Sequence, residues 1–252
     1  MDEPNVLYKA DGAVANITLN RPNSLNAFNE ALMSEWKGAM LKAEADEIIK
    51  VIVVSGAGRA FSAGVDLKTT KAEDFQNGAR FMDLGHEVGT LIEDASKVTI
   101  VKVHGYCFTG ALEMMLFFDL AFCTDATQFG DTHAKWGIMP RWGMTQRLSR
   151  RVGLAKAKEL TFRAYRVNGE EAERIGLVNR SFAEDQFDQE VEKIISEISA
   201  NNHQAIAAIK ALYNQGFQTT LREGLFLELN AKTEIDGTSE NLEQFEQKKF
   251  KD

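Results

Sequence analysis

Proline is scarce in this chain, with three residues in 252, so long Pro-rich or disordered linkers are not expected. Cysteine is scarcer still. Cys107 and Cys123 both sit in apolar segments without metal-ligand spacing, and they read as buried, reduced thiols. No apolar run approaches the ~18 residues of a membrane span. The N-terminal Met-Asp-Glu-Pro-Asn lacks a basic region leading into an apolar core, and the final Lys-Lys-Phe-Lys-Asp is not a peroxisomal tripeptide. The expectation is a cytoplasmic protein with no membrane partner. Positive charge is also in deficit: the formal net charge is −8, which argues against nucleic acid as a partner because neutralising phosphates needs a basic face. A few local Lys or Arg residues are still enough to hold an anionic ligand.

What remains is ordinary soluble-enzyme material, 44% hydrophobic and 26% charged, enough for one large domain or a domain with an appendage. Val6–Lys9 and Val14–Leu19 read as a hairpin turned at Asp11-Gly12, and Arg21-Pro22-Asn23 then breaks the chain. From Asn26 to about Ala45, Leu32, Trp36 and Met40 recur at helical spacing. Val51–Val54 is a solid β-branched run of the kind buried on both faces of a parallel sheet, Thr99–Val103 reads as another buried strand, and Leu120–Cys123 as a further one. The first of these runs leads into a glycine-rich loop, Gly56 to Gly64. A charged, poorly patterned stretch, Lys68 to Gln76, and a helix from about Ala79 to Ala95 follow it. Gly105 to Phe118 reads as a turn entering an apolar helix. Strands alternating with helices predict an α/β layered core, and from about Ala155 onward the pattern is helical almost throughout. Helical faces such as Ala205–Tyr213 and Leu225–Leu229 need a partner, either the core or another subunit.

Two familiar loop chemistries fail on the glycine-rich segment. The third glycine of a dinucleotide-binding loop falls on Phe61, and Ser62 lacks the Gly-x-Ser-x-Gly frame of a hydrolase nucleophile. Glu113 is more telling. It lies within Ala-Leu-Glu-Met-Met-Leu-Phe-Phe, where a carboxylate is costly to bury without a partner or a task. In the first turn of a helix, between apolar walls and the positive end of the dipole, such a group suits proton transfer.

Taken together, Arg59-Ala-Phe-Ser-Ala-Gly-Val-Asp-Leu67, His104-Gly-Tyr-Cys-Phe-Thr-Gly-Ala-Leu-Glu-Met114, Gln128-Phe-Gly130, Gly137-Ile-Met-Pro140 and Thr145-Gln-Arg-Leu148 resemble the crotonase superfamily, which includes enoyl-CoA hydratases and isomerases. The resemblance covers most of the chain and is weakest in the C-terminal helices. It implies a spiral of ββα units over residues 1–195 and a C-terminal helical oligomerisation region over 196–252. Homotrimers or dimers of trimers are its implied assemblies, acyl-CoA its ligand, and no separate cofactor or metal is required.

By the same resemblance, the backbone N–H groups of Val65 and Gly110 form an oxyanion hole for the thioester oxygen. Carbonyls around Ala60 and Ala63 take the adenine amino group, and Asp66 belongs to the same coenzyme-binding loop. Arg59 and Lys68 lie near the phosphates, unless they are simply solvated surface charges; Lys248 or Lys249 is a further candidate. Glu113 matches the first catalytic glutamate of the hydratases. His133 stands where those enzymes carry the second, so an acid–base pair survives but the second carboxylate does not. Asp131 is a possible substitute, and strand alternation would place it on the same face as His133. After Pro140, bulky Arg141 and Trp142 replace a small, glycine-rich turn and are expected to shrink or recharge the acyl pocket. Hydration of a 2-enoyl-CoA is the leading activity. Isomerisation, decarboxylation or thioester hydrolysis on the same oxyanion hole remain alternatives, as does a non-catalytic acyl-CoA-binding or scaffold role.

Overall fold

A computed structural model describes residues 3–70, 80–238 and 242–243. The chain divides into two compact units, Met1–Ser199 and Ala200–Asp252. Most of the Lys68 to Gln76 stretch, and Lys248 and Lys249, fall outside the described residues.

The first unit is built on a six-stranded sheet of order β1-β2-β3-β4-β6-β8. Its strands are β1 (Val6–Asp11), β2 (Val14–Leu19), β3 (Val51–Gly56), β4 (Val98–Val103), β6 (Leu120–Thr124) and β8 (Arg180–Phe182). Only the β1–β2 hairpin is antiparallel. Val51–Val54 and Val98–Val101 are buried along their whole length, as parallel strands inside a core are. The first helix, α1 (Glu30–Ala45), starts later than its apolar spacing suggests. Asn29 caps it by accepting from the Leu32 N–H at 2.9 Å, and Phe28 is drawn instead into a bridge with Val65. Helix α2 (Arg80–Glu93) buries Phe81, Leu84, Val88 and Ile92 against the same core.

A second, two-stranded parallel sheet pairs β5 (Tyr106–Phe108) with β7 (Gln128–Gly130), and the Ser62↔Cys107 bridge extends it by one position. Each turn of the spiral therefore places one strand in the large sheet, a short strand in the small one, and then a helix. Strands β4 and β5 lead into α3 (Gly110–Met115), while β6 and β7 lead into α4 (His133–Trp136). The register Ser62, Cys107, Phe129 sets three exits side by side. Neither short strand is evident from the sequence pattern, since three residues are too few to show an alternation. Beyond α4 come α5 (Met144–Val152), α6 (Leu154–Arg163), α7 (Gly169–Arg174) and α8 (Phe187–Ser199); β8 interrupts a region that reads as helical almost throughout.

Cys107 and Cys123 are both free and buried, and burial pushes both thiols up, Cys123 to about 12. The second unit contains α9 (His203–Gly216) and α10 (Leu221–Asn230), the latter opened by a Thr220–Glu223 capping box. Tyr213, Phe217, Leu221, Leu225 and Leu229 leave much of its apolar surface exposed. Among the described residues no helix is long and apolar enough to cross a membrane.

Candidate active site

The loop after β3 is fixed from within. Asn26 is fully buried; its amide donates to the carbonyls of Ala57 (2.9 Å) and Ala60 (2.8 Å), while its side-chain oxygen accepts from the Arg21 N–H at 2.8 Å. Ser62 is a structural hinge of the same loop. Its hydroxyl donates to the Asn26 carbonyl at 2.9 Å and accepts from the Gly64 N–H at 3.1 Å. The Phe28 N–H donates to the Gly64 carbonyl and the Asp66 N–H to the Phe28 carbonyl, so the intervening Val65 N–H faces the other way. That other way is toward α3.

Gly64 makes this approach possible. Its φ is +91°, and a Cβ built there would stand 2.6 Å from the Phe108 carbonyl oxygen and 3.2 Å from the Gly110 nitrogen. On the facing turn, Thr109 is held at φ +50°, which a β-branched residue rarely adopts. Two contacts hold it there: its N–H donates to the Gly130 carbonyl at 2.9 Å, and its hydroxyl meets that of Thr132 at 2.5 Å. The result brings the Val65 and Gly110 amides together. A Cβ on Gly110 would lie 3.5 Å from the Val65 nitrogen. Among the described residues, no hydrogen bond is donated by either N–H.

Glu113 lies one turn into α3 and is almost wholly buried. Its Oε1 accepts from the Trp142 N–H at 2.8 Å and the Met144 N–H at 3.2 Å, two backbone donors that the sequence pattern does not announce. Its Oε2 meets His133 Nε2 at 3.4 Å. On the far side of the ring, His133 Nδ1 is 2.6 Å from Asp131 Oδ1, which also accepts the His133 backbone N–H at 3.2 Å. Thr161 completes the row, its hydroxyl donating to Asp131 Oδ2 at 2.6 Å. Burial alone drives the His133 imidazole down, but the Asp131 and Glu113 carboxylates more than reverse this and raise it to about 9. Burial likewise pushes the Asp131 carboxyl up, yet its bonds from His133 and Thr161 win and hold it below the ordinary value.

Glu113, His133 and Val65 line one pocket, together with Met82, Trp136 and Met139. Arg141 and Trp142 line it too. Arg141 sits exposed at the rim, whereas the Trp142 ring is buried against Phe28 and Phe81, its indole N–H donating to the Met82 carbonyl at 3.0 Å. The bulk after Pro140 is therefore wall rather than obstruction. Helix α2 makes room for it at Gly85, where a Cβ would come within 2.1 Å of the indole.

The structure departs from the sequence reading at three points. Asp131 and His133 do converge, but not by strand alternation: β7 ends at Gly130, and His133 opens α4. Ala60 is fully buried and its carbonyl accepts from Asn26, whereas Ala63, Val65 and Leu67 of the same loop line the pocket. Asp66 is committed to Arg21 at 3.0 Å and to the Lys68 N–H at 3.2 Å, which closes the loop on itself. Arg59 and Lys68 are both exposed on that loop. Sequence reasoning missed Thr161 altogether, since a lone threonine on a helix carries no motif.

A model of the enoyl-CoA hydratase/isomerase family matches residues 9–251. Among curated proteins, the short-chain-enoyl-CoA hydratase of Clostridium acetobutylicum is 32% identical over 241 residues, 95% of this chain and 92% of that one. The crotonyl-CoA hydratase of Syntrophomonas wolfei is 32% identical over 228 residues, covering 90% and 88%. A crystal structure of enoyl-CoA hydratase from Bacillus anthracis superposes with a TM-score of 0.89 at 26% identity, covering 97% of this chain and 96% of that chain.

Gly64→Ala tests whether the approach of the two turns matters. The added methyl should push Val65 away from Gly110 and lower kcat/KM for a thioester substrate by about 10²-fold or more, the usual cost of losing one such donor. Circular dichroism should show the fold retained, and an unimpaired rate would mean that the close approach has no catalytic role.

Proposed function

The chain belongs to the enoyl-CoA hydratase/isomerase family, and we propose that it adds water to the double bond of a 2-enoyl-CoA. The observation that carries this reading is the buried carboxylate of Glu113, which shares a pocket with Val65 and the His133 imidazole, while the Gly110 amide lies beside that of Val65. Hydration requires three things at once: a base for water, an acid for C2 and a donor pair for the enolate oxygen. The site offers a candidate for each.

The thioester oxygen is received by the N–H groups of Val65 and Gly110. An enolate there gains about 3 kcal/mol from each well-aimed donor in a site shielded from water. Because that charge is larger in the transition state than in the ground state, the donors favour reaction over mere binding. Glu113 takes a proton from water as its oxygen bonds to C3. The Trp142 and Met144 N–H groups fix the carboxylate by one oxygen and leave the other toward His133. His133 delivers a proton to C2. Apolar pocket residues such as Met82, Ile138 and Met139 suit an aliphatic acyl chain. The Gly56–Lys68 loop would hold the coenzyme A part of the substrate, with Ala63 at the adenine and exposed Arg59 and Lys68 near the phosphates. No further cofactor enters the scheme.

Incubation of the wild type with crotonyl-CoA should remove the absorbance of the conjugated thioester. Glu113→Gln should lower kcat by at least about 10²-fold, a typical share for one general base, while leaving the affinity for coenzyme A unchanged. If the wild type moves a double bond in a 3-enoyl-CoA but does not hydrate the 2-enoyl isomer, the chain is an isomerase and the hydratase reading is wrong. If it binds acyl-CoA and turns over neither, it is a binding protein.

The exposed apolar row on α9 and α10 supports self-association of the second unit into a trimer or a pair of trimers. Sedimentation equilibrium should return a multiple of three times 28.1 kDa, and a monomer at micromolar concentration would contradict this.

A further inference from the structure

We propose that Asp131 and Thr161 are positioning residues that hold His133 with a proton on each ring nitrogen, so that its Nε2–H is the acid at C2 and is reloaded by Glu113. The inference rests on the hydratase reading and extends it to groups that touch no substrate.

The geometry leaves Asp131 little freedom. Its carboxylate is fully buried; Oδ1 accepts both the backbone N–H and Nδ1 of His133, and Oδ2 accepts the Thr161 hydroxyl. With both oxygens occupied by the protein and none exposed, it cannot serve as the second catalytic carboxylate. An ionised carboxylate can only accept, so Nδ1 must carry hydrogen. The other nitrogen faces Glu113 Oε2 at 3.4 Å, and in this proposal Nε2 carries a hydrogen as well. One imidazolium between two buried carboxylates leaves one net negative charge, whereas a neutral ring would leave two uncompensated anions in a buried site. These two carboxylates are the charged groups that face the ring from α3 and from the turn after β7; α6 contributes the uncharged Thr161.

The cycle balances. Water's oxygen bonds to C3, its proton goes to Glu113, and the double-bond electrons move to the thioester oxygen. As the enolate collapses, the Nε2 proton passes to C2 and leaves a neutral imidazole. The proton on Glu113 then crosses to Nε2 and restores both groups. The substrate has gained one water and the protein is unchanged.

Three arms test this. The first is an NMR titration of the four histidines, with His133 assigned by its disappearance in His133→Gln. In the wild type, His133 should lose its proton near pH 9. In Asp131→Asn that midpoint should fall by about one unit or more toward the ordinary ~6.5, with a smaller shift of the same sign in Thr161→Val. The second arm is the pH dependence of kcat on crotonyl-CoA. A raised folded pKa means the acid is present below it and lost as pH rises through it, so the alkaline limb should follow the titration in each variant. In the third, His133→Glu should be inactive, since it sets three carboxylates in contact. Asp131→Asn combined with His133→Glu should recover activity by removing one of them.

A His133 midpoint unmoved by Asp131→Asn, or a His133→Glu single variant as active as the wild type, would overturn the proposal. The NMR arm needs no turnover. An enzyme whose His133 titrates as stated but that hydrates no enoyl thioester refutes the acid role through the hydratase reading, not through the positioning.

Discussion

Parallel pairing in a sheet only a few residues long is the constraint on which this site depends. Ser62, Cys107 and Phe129 lie in one register, and the chain leaves each of them in the same direction. Parallel strands deliver their following residues to a common edge, as they do wherever α/β sheets bind ligands outside their carboxyl ends. Here that edge receives Val65 from the first exit, Gly110 and Glu113 from the second, and Asp131 and His133 from the third. A slip by one residue in any of the three would turn its side chains to the opposite face and scatter the group. The large sheet supplies the burial that makes so short a pairing stable.

Within that frame, the placement of charge follows from what each exit can satisfy. The turn into α3 spends backbone strain at Thr109 and omits a side chain at Gly110, and both features keep an amide available beside Val65. Glu113 is not left alone in its apolar surroundings. Two backbone donors from the segment after Pro140 hold one oxygen, and the indole of Trp142 packs the space behind them. Around His133 the roles are reversed: the carboxylates are the surroundings, and the imidazole is the group whose charge they select. Removing either carboxylate would leave the remaining charges poorly matched, so Asp131, His133 and Glu113 are expected to act as a coupled set rather than as independent contributors.

Much of this was legible in the residues. The β-branched run Val51–Val54 announces a strand buried on both faces, and the glycine-containing segments around Gly64 and Gly110, with Glu113 in an apolar helix, mark where chemistry would lie. The ligand-side loops also carry the family resemblance. What could not be read depends on contacts distant in sequence. Thr161 reaches Asp131 across thirty positions, and the Trp142 N–H reaches Glu113 across twenty-nine; neither leaves a periodic or compositional trace. The turn at Asp131 was misjudged because a three-residue strand ends before alternation can be followed, so helix α4, not the pleat, aims His133. The bond from the buried Asn26 to the Ala60 carbonyl is likewise hidden in the sequence, because Asn26 lies in another loop.

The central claim is that one substrate oxygen sits between two main-chain amides and faces Glu113. A crystal structure with an acyl-CoA that is not hydrated, such as acetoacetyl-CoA, tests it most directly. The account predicts the thioester oxygen at about 2.7–3.1 Å from both the Val65 and Gly110 nitrogens, with the acyl C3 toward Glu113. A thioester oxygen bound elsewhere in the pocket, or amides turned onto other protein atoms when the ligand is present, would contradict it.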